Sequence, residues 1–123
     1  GENSRIDLLL EASGKPSCYV EVKNVTLYRQ SGFAEFPDCR TERGEKHLRE
    51  MTAMVHEGHR AVMVYCIQGG NPGRFALTSD IDPQYAAAFR RAHKAGVEAI
   101  ALTCHVSPDS IAVFGEIPMD LPE

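Results

Sequence analysis

A glutamate and a lysine stand two positions apart, Glu21 and Lys23, inside an otherwise apolar stretch that is rich in β-branched residues. Alternate side chains of a β-strand share one face, so this spacing predicts that both groups point the same way. Further upstream, Asp7 lies in a second strand-like stretch and would bring another carboxylate to the same place. Two carboxylates bind a hard divalent cation such as Mg²⁺, which neutralises phosphate charge, and a neighbouring lysine can orient the attacking water. The constellation therefore indicates metal-dependent hydrolysis of phosphodiester bonds.

The spacing alone is weak evidence for that chemistry. The chain carries 17 acidic residues in 123 positions, so an acidic residue two positions before a lysine arises readily by chance. The alternative is an exposed strand face with an ordinary cross-strand ion pair. Under the hydrolytic hypothesis, replacing Glu21 or Lys23 by alanine should abolish cleavage and leave the fold intact, because neither side chain is needed for core packing.

Three basic residues are candidates for nucleic-acid contacts. Arg43 and Lys46 lie at the start of a predicted helix, where they either contact phosphate or form surface salt bridges with neighbouring glutamates. Lys15 lies in a turn beside the predicted site and is either a phosphate contact or simply an exposed residue. His47 follows Lys46, and both a general-acid role and a structural hydrogen bond fit its position.

The elements that must position these residues alternate between strands and helices. A helix over 42–57 begins after the capping residue Thr41, and a second helix over 83–95 begins at Asp82 and Pro83. The predicted strands cover 5–10, 18–27, 61–67, 97–106 and 111–117. The order β-β-α-β-α-β-β predicts an α/β fold with a mixed central sheet and flanking helices, because helices between strands imply crossovers.

Two stretches carry more specific expectations. The continuous apolar run at 61–67 predicts a strand at the centre of the sheet, covered on both sides and flanked by the two helices. Residues 28–40 show no clear period and are expected to form an irregular loop.

Composition sets broad limits on function. The formal net charge of −4 is not the basic balance of a protein that binds nucleic acid by charge alone, so phosphate contacts would need a local basic patch. No apolar run reaches the roughly 18 residues of a membrane span. The four cysteines form no CxxC pair, which favours free thiols over a disulfide or zinc site and predicts a reducing compartment, the cytoplasm. The length is that of one domain, spanning 1–123.

Seven short sequence blocks follow one another through nearly the whole chain. They are SRID at 4–7, CYVEVKNVTL at 18–27, FPDCRTERG at 36–44, KHLRE at 46–50, GHRAV at 58–62, IDPQYA at 81–86 and GVE at 96–98. These blocks resemble the sugar fermentation stimulation protein A family, and TERGxKHL is a highly specific part of the match.

The resemblance implies a restriction-endonuclease-like core of the PD-(D/E)xK type that binds DNA. The first motif carboxylate of that core corresponds to Asp7, and its Glu-x-Lys pair corresponds to Glu21 and Lys23. The resemblance also implies Mg²⁺ or Mn²⁺ as the cofactor, and the backbone carbonyl of Val22 would complete the metal site. Ile6 stands where the name of the superfamily has proline, a position at which that proline is often absent.

Members of the family are expected to carry an OB-like nucleic-acid-binding domain, and then a helix and a strand, ahead of this core. The chain begins almost at the strand 5–10, so the resemblance implies a C-terminal fragment. The upstream pieces would otherwise cover an edge or an apolar face, and the fragment is therefore expected to form homo-oligomers through it.

Three hypotheses about function remain open at this point. The first is a magnesium-dependent nuclease that acts on DNA, or on RNA. The second is a non-catalytic DNA-binding regulator of sugar (maltose) metabolism that keeps a nuclease fold. The third is a scaffold with no role in nucleic-acid binding. No membrane partner is expected under any of them.

Overall fold

A computed structural model of the protein describes residues 8–11, 14 and 17–120. Within these ranges the elements are β1 (Leu8–Leu10), β2 (Cys18–Val25), β3 (Phe33–Phe36), α1 (Glu42–His56), β4 (Arg60–Ile67), β5 (Arg74–Leu77), α2 (Pro83–Ala95), β6 (Glu98–Ser107), β7 (Ser110–Ile117) and β8 (Met119–Asp120). The α/β class and both predicted helices are confirmed. Neither helix, at 15 and 13 residues, is long enough to cross a bilayer, and the described part of the chain holds no helix that could.

Five strands form the main sheet in the order β1-β2-β4-β6-β7. The strands β2, β4 and β6 run parallel, whereas β1 and β7 are each antiparallel to their neighbour. Each parallel pair needs a crossover, which α1 supplies between β2 and β4 and α2 supplies between β4 and β6. The mixed sheet is therefore confirmed. Strands β1 and β7 are the edges of the sheet over the described residues, and self-association through such an edge stays a prediction.

Both helices pack on one face of the main sheet, against alternate residues of β4. The side chains of Ala61, Met63, Tyr65 and Ile67 face the helices and are fully buried, which confirms the predicted central strand. They share one core with apolar side chains of the helices, namely Leu48, Met51, Tyr85, Ala88, Phe89 and Ala92. The expectation of cover on both sides is only partly met, since Val64 on the other face is half-buried. Both crossovers step in the same direction along the sheet, so their shared handedness places both helices on one side.

A second, smaller sheet joins three short parallel strands in the order β3-β5-β8. Its strand β5 packs on the main core, where the rings of Phe75 and Tyr65 stack with centroids 4.7 Å apart. The irregular loop expected over 28–40 is thus wrong for Phe33–Phe36, which is β3. Four residues are too few to show a period, and the partner strand begins far along the chain at Arg74.

The expectation of four free thiols is wrong for two of the cysteines. Cys66 on β4 and Cys104 on β6 form a disulfide between buried side chains, with Cα atoms 6.1 Å apart. Their strands are adjacent, and Cys66 lies opposite Leu102, only two positions before Cys104. The sequence separation of 38 residues gave no sign of this proximity. Cys18 and Cys39 are free thiols.

One buried carboxylate connects the N-termini of the two helices. Asp82 Oδ1 accepts a hydrogen bond from the backbone N–H of Tyr85 at 3.0 Å and so caps α2. Its Oδ2 accepts from the backbone N–H of Thr41 at 2.8 Å. Thr41 in turn caps α1, because its Oγ1 accepts from the N–H of Gly44 at 2.9 Å. Both predicted caps are confirmed, and they hold the two helix ends side by side.

Gly44→Ala should destabilise the protein at this junction. A Cβ at position 44 would lie 2.9 Å from Cγ2 of Thr41 and 2.9 Å from Cε1 of Tyr85. We expect the free energy of unfolding in urea to fall by about 1–3 kcal/mol, although alanine has the higher helix propensity. Ala53→Gly, at an exposed position of the same helix, measures the propensity difference alone. An increase of about 1 kcal/mol in the free energy of unfolding of Gly44→Ala would show instead that the two helix ends move apart and accommodate the added methyl group.

The disulfide can be tested by counting thiols. In protein purified without reductant and then denatured, two of the four cysteines should react with a chromogenic thiol reagent, and all four should react after reduction. The double variant Cys66→Ala/Cys104→Ala should lose about 2–4 kcal/mol of stability, because the link restricts the unfolded chain. Cys18→Ala/Cys39→Ala is the matched control. Four reactive thiols before reduction would contradict the pairing.

Candidate active site

Strand β2 presents two charged side chains to α1. Tyr19 and Val25 of this strand pack into or against the core on the helix side. Glu21 and Lys23 occupy the positions between them, and both contact His47 of α1. The two groups therefore share a face, as the two-residue period predicts.

Three polar groups meet between β2 and α1. The Nζ of Lys23 lies 2.8 Å from Nδ1 of His47 and 3.5 Å from Oε2 of Glu21. The same Oε2 lies 3.2 Å from Nδ1 of His47. The side chains of Glu21 and His47 are 4% and 5% exposed, and that of Lys23 is 14% exposed. The lysine is thus the most exposed of the three, beside a carboxylate and an imidazole that are shielded from water.

The burial of Glu21 changes how the pair of Glu21 and Lys23 must be interpreted. A carboxylate taken out of water is strongly destabilising unless cations or hydrogen-bond donors compensate it, and the ammonium of Lys23 is the cation beside Glu21. The alternative of an exposed strand face with a surface ion pair is therefore excluded. The expectation that Glu21→Ala leaves the fold intact stays a prediction, but its premise does not hold for Glu21, because this side chain is buried.

The donor and acceptor roles follow from the chemistry of the three groups. A lysine ammonium has three donors and no acceptor, so Nδ1 of His47 accepts the bond from Lys23. The neutral ring then carries its proton on Nε2. One nitrogen cannot accept from Lys23 and donate to Glu21 at the same time, and the shorter contact is the one with the lysine.

Two buried phenols lie beneath the cluster. The hydroxyls of Tyr65 and Tyr85 are 2.6 Å apart, and Tyr65 is the residue opposite Lys23 in the β2–β4 register. Burial raises the pKa of both phenols well above the usual value for tyrosine. The negative charge of Glu21 also raises the pKa of Tyr85, which places this phenol within electrostatic reach of the carboxylate.

The other residues predicted from sequence lie around this cluster or beyond the described residues. Arg43 and Lys46 are exposed on the first two turns of α1, and Arg43 is one turn before His47 on the same side of the helix. In the described part of the chain no ion pair involves Arg43 or Lys46, so the predicted salt bridges with neighbouring glutamates are not formed there. Asp7 and Lys15 lie outside the described residues.

The structure adds His47 to the candidate site. Sequence reasoning left open whether this histidine makes a structural hydrogen bond, and it gave the residue no place beside Glu21 and Lys23. The usable signal was helical period: His47 precedes the core residue Leu48 and lies three residues after Gly44, another buried position, so it had to face the sheet. Over the described residues no group of three or more His, Cys, Asp and Glu side chains forms a ready metal site.

The chain is similar to known proteins along almost its entire length. Residues 1–110 match the family described as the sugar fermentation stimulation protein (SfsA) RE domain. A sugar fermentation stimulation protein homologue of Rhodospirillum centenum is 58% identical over 113 residues, which cover 92% of this chain and 48% of the homologue. The homologue of Roseobacter denitrificans is 54% identical over 121 residues, covering 98% of this chain and 52% of that protein.

A solved structure agrees with the fold. The chain superposes on Pyrococcus furiosus SfsA, described in complex with Ca²⁺, with a TM-score of 0.82 and 32% identity over 94% of this chain and 50% of the other. The chain thus spans about half the length of the curated relatives and of the solved structure that it matches. On the strength of the family match and these relatives, the chain belongs to the sugar fermentation stimulation protein family, whose RE domain it matches.

Proposed function

We propose that this domain is a divalent-metal-dependent, nuclease-like domain that binds DNA, or RNA, and hydrolyses phosphodiester bonds. The observation that carries the proposal is the buried carboxylate of Glu21 beside the partly exposed ammonium of Lys23. A surface ion pair needs no such burial, whereas a site that handles phosphate charge gains from a low dielectric around its cation. The proposal includes a PD-(D/E)xK-type core and a place in the bacterial cytoplasm.

The residues present fit a hard divalent cation. Glu21 offers a carboxylate on a rigid strand, and the backbone carbonyl of Val22 and the carboxylate of Asp7 are the further oxygen ligands that we propose. Asp7 is outside the described residues, but Leu8, which directly follows it, pairs with Val20, which directly precedes Glu21. The Ca²⁺ described with the relative from Pyrococcus furiosus supports a divalent cation in this family, and Mg²⁺ or Mn²⁺ is proposed as the working ion.

The cation would neutralise phosphate charge and lower the pKa of a water molecule bound beside it. Side chains of the protein perform the other roles. Glu21 holds the site negative enough to attract the cation, and Lys23 directs its ammonium toward the phosphate and the attacking water. Arg43, Lys46 and Lys15 are proposed to contact the phosphates on either side, which agrees with the exposure of the first two on α1.

One observation favours a second candidate function. The ammonium of Lys23 lies 3.5 Å from the Glu21 carboxylate, so a positive charge of the protein itself is already beside this carboxylate. That arrangement also suits a non-catalytic nucleic-acid-binding regulator that keeps the nuclease fold. Nucleic-acid binding without cleavage at any divalent concentration would favour this candidate over the first.

The cleavage prediction is specific to Glu21 and Lys23. The purified domain should cut a mixed DNA substrate with Mg²⁺ or Mn²⁺ and should be inactive with EDTA. Glu21→Gln and Lys23→Gln, which keep the side-chain volume in this buried cluster, should each lower the rate on the order of 100–1,000-fold, because each removes a group that stabilises charge during the reaction.

Matched controls separate lost chemistry from lost structure. Glu57→Gln and Lys94→Ala change the same residue types at exposed positions near the ends of the helices and should leave the rate unchanged. Thermal unfolding must show that both active-site variants are folded at the assay temperature. Cleavage by Glu21→Gln at the wild-type rate, with the protein free of contaminating nuclease, would refute the proposed role of this carboxylate.

The phosphate contacts predict a change in salt dependence. Each lysine or arginine that neutralises a phosphate contributes about one unit to the slope of log affinity against log salt concentration. The double variant Arg43→Ala/Lys46→Ala should therefore reduce the slope for DNA by about two, measured by fluorescence anisotropy in Ca²⁺ to prevent cleavage. Arg91→Ala/Lys94→Ala, exposed on α2, is the control. An unchanged slope would show that the start of α1 does not touch the backbone.

A further inference from the structure

We infer that His47 is a positioning residue that holds the ammonium of Lys23 in a fixed direction beside the carboxylate of Glu21. The inference rests on the proposed function, in which Lys23 must be directed toward phosphate. It gives α1 a role in the site, and the Glu-x-Lys spacing on β2 does not predict that role.

The first step of the argument is distance. The ammonium of Lys23 makes a hydrogen bond of 2.8 Å to Nδ1 of His47, whereas its distance to the Glu21 carboxylate is 3.5 Å. Side chains two positions apart on a strand are within easy reach of each other, and the lysine does form an ion pair with the glutamate, but that contact is longer than the bond to the ring. The shorter bond to the ring shows which partner sets the direction of the ammonium.

The second step is rigidity. The ring of His47 is 5% exposed and is carried by α1, which is fixed over the sheet by the buried neighbours Leu48 and Met51. A lysine side chain has four carbon atoms in its flexible stem and loses much rotational freedom when it is held in one place. The buried acceptor Nδ1 of His47, carried by α1, holds the ammonium in one place, which strand β2 alone cannot do.

The third step is the direction of the bond. Nδ1 must accept, because the ammonium can only donate. An asparagine at position 47 would offer a carbonyl oxygen at about the same distance from the backbone as Nδ1. A leucine would fill similar space without an acceptor. These two substitutions therefore separate the acceptor function of His47 from its packing.

The test compares His47→Leu with His47→Asn in the Mg²⁺-dependent cleavage assay. We expect His47→Leu to lower kcat on the order of 100-fold, with KM for DNA unchanged, because a misdirected group affects the chemical step and not substrate binding. His47→Asn should recover most of that loss. Val55→Ala, at a position two turns further along the same helix that packs against the core, controls for destabilisation of α1 and should keep the wild-type kcat at a temperature where it is folded.

A second readout does not depend on cleavage. The chain has only four lysines, so a ¹⁵N–¹H spectrum of the lysine ammonium groups can be assigned with single variants. The Lys23 signal should be protected from solvent exchange in the wild type and in His47→Asn, and it should be lost in His47→Leu. If the wild type does not cleave DNA at all, the proposed function fails, and this spectrum still decides whether His47 holds the lysine.

Three results would overturn the inference. One is a wild-type kcat in His47→Leu. Another is an equal loss of kcat in His47→Asn and His47→Leu together with the same loss in Val55→Ala, which would reduce His47 to a packing residue. The third is an unchanged Lys23 ammonium signal in His47→Leu.

Discussion

The removal of the Glu21 carboxylate from water is the constraint on which the rest of the site depends. A buried carboxylate needs a compensating cation close by, and here it is Lys23 of the same strand, whose ammonium is bound by His47 of the helix that crosses above it. Helix α1 must therefore present His47 to the sheet together with its apolar residues. The buried positions of α1, namely Gly44, His47, Leu48 and Met51, form one stripe at helical period, so core packing and the candidate chemistry fix the same orientation of the helix.

Two other buried carboxylates show why Glu21 stands apart. Asp82 is satisfied by backbone N–H groups at the starts of both helices, and those donors cannot move without unwinding the helices. Glu35 accepts hydrogen bonds of 2.9 Å from Nε and Nη2 of Arg29, and an arginine stays charged at any ordinary pH. Only Glu21 among the three is paired with a lysine ammonium, which also binds an imidazole. A flexible lysine can exchange a contact with the carboxylate for one with a ligand, and this distinguishes Glu21 as the candidate site.

Local sequence rules predicted much of this arrangement, and tertiary proximity accounts for the remainder. The two-residue period placed Glu21 and Lys23 on one face, and capping chemistry located Thr41 and Asp82 at the helix starts. Strand β3 was missed because its four residues carry no period and pair with a strand some 40 positions away. The pairing of Cys66 with Cys104 was missed because it depends on the register of two parallel strands. The contact of His47 with Lys23 likewise required the angle at which α1 crosses the sheet, which no spacing along the chain encodes.

The disulfide has a consequence for how an intact domain is recognised. It closes a covalent ring that contains β5 and α2, whereas β2 and α1, which carry the candidate site, lie outside that ring. A crosslink acts mainly by limiting the freedom of the unfolded chain that it encloses. The ring can therefore persist while the segment that bears Glu21 and His47 opens locally. A sample can therefore have a complete disulfide and retain the helical signal from α2 without a folded candidate site. The oxidation state of the cysteines does not measure the fraction of molecules in which that site is formed.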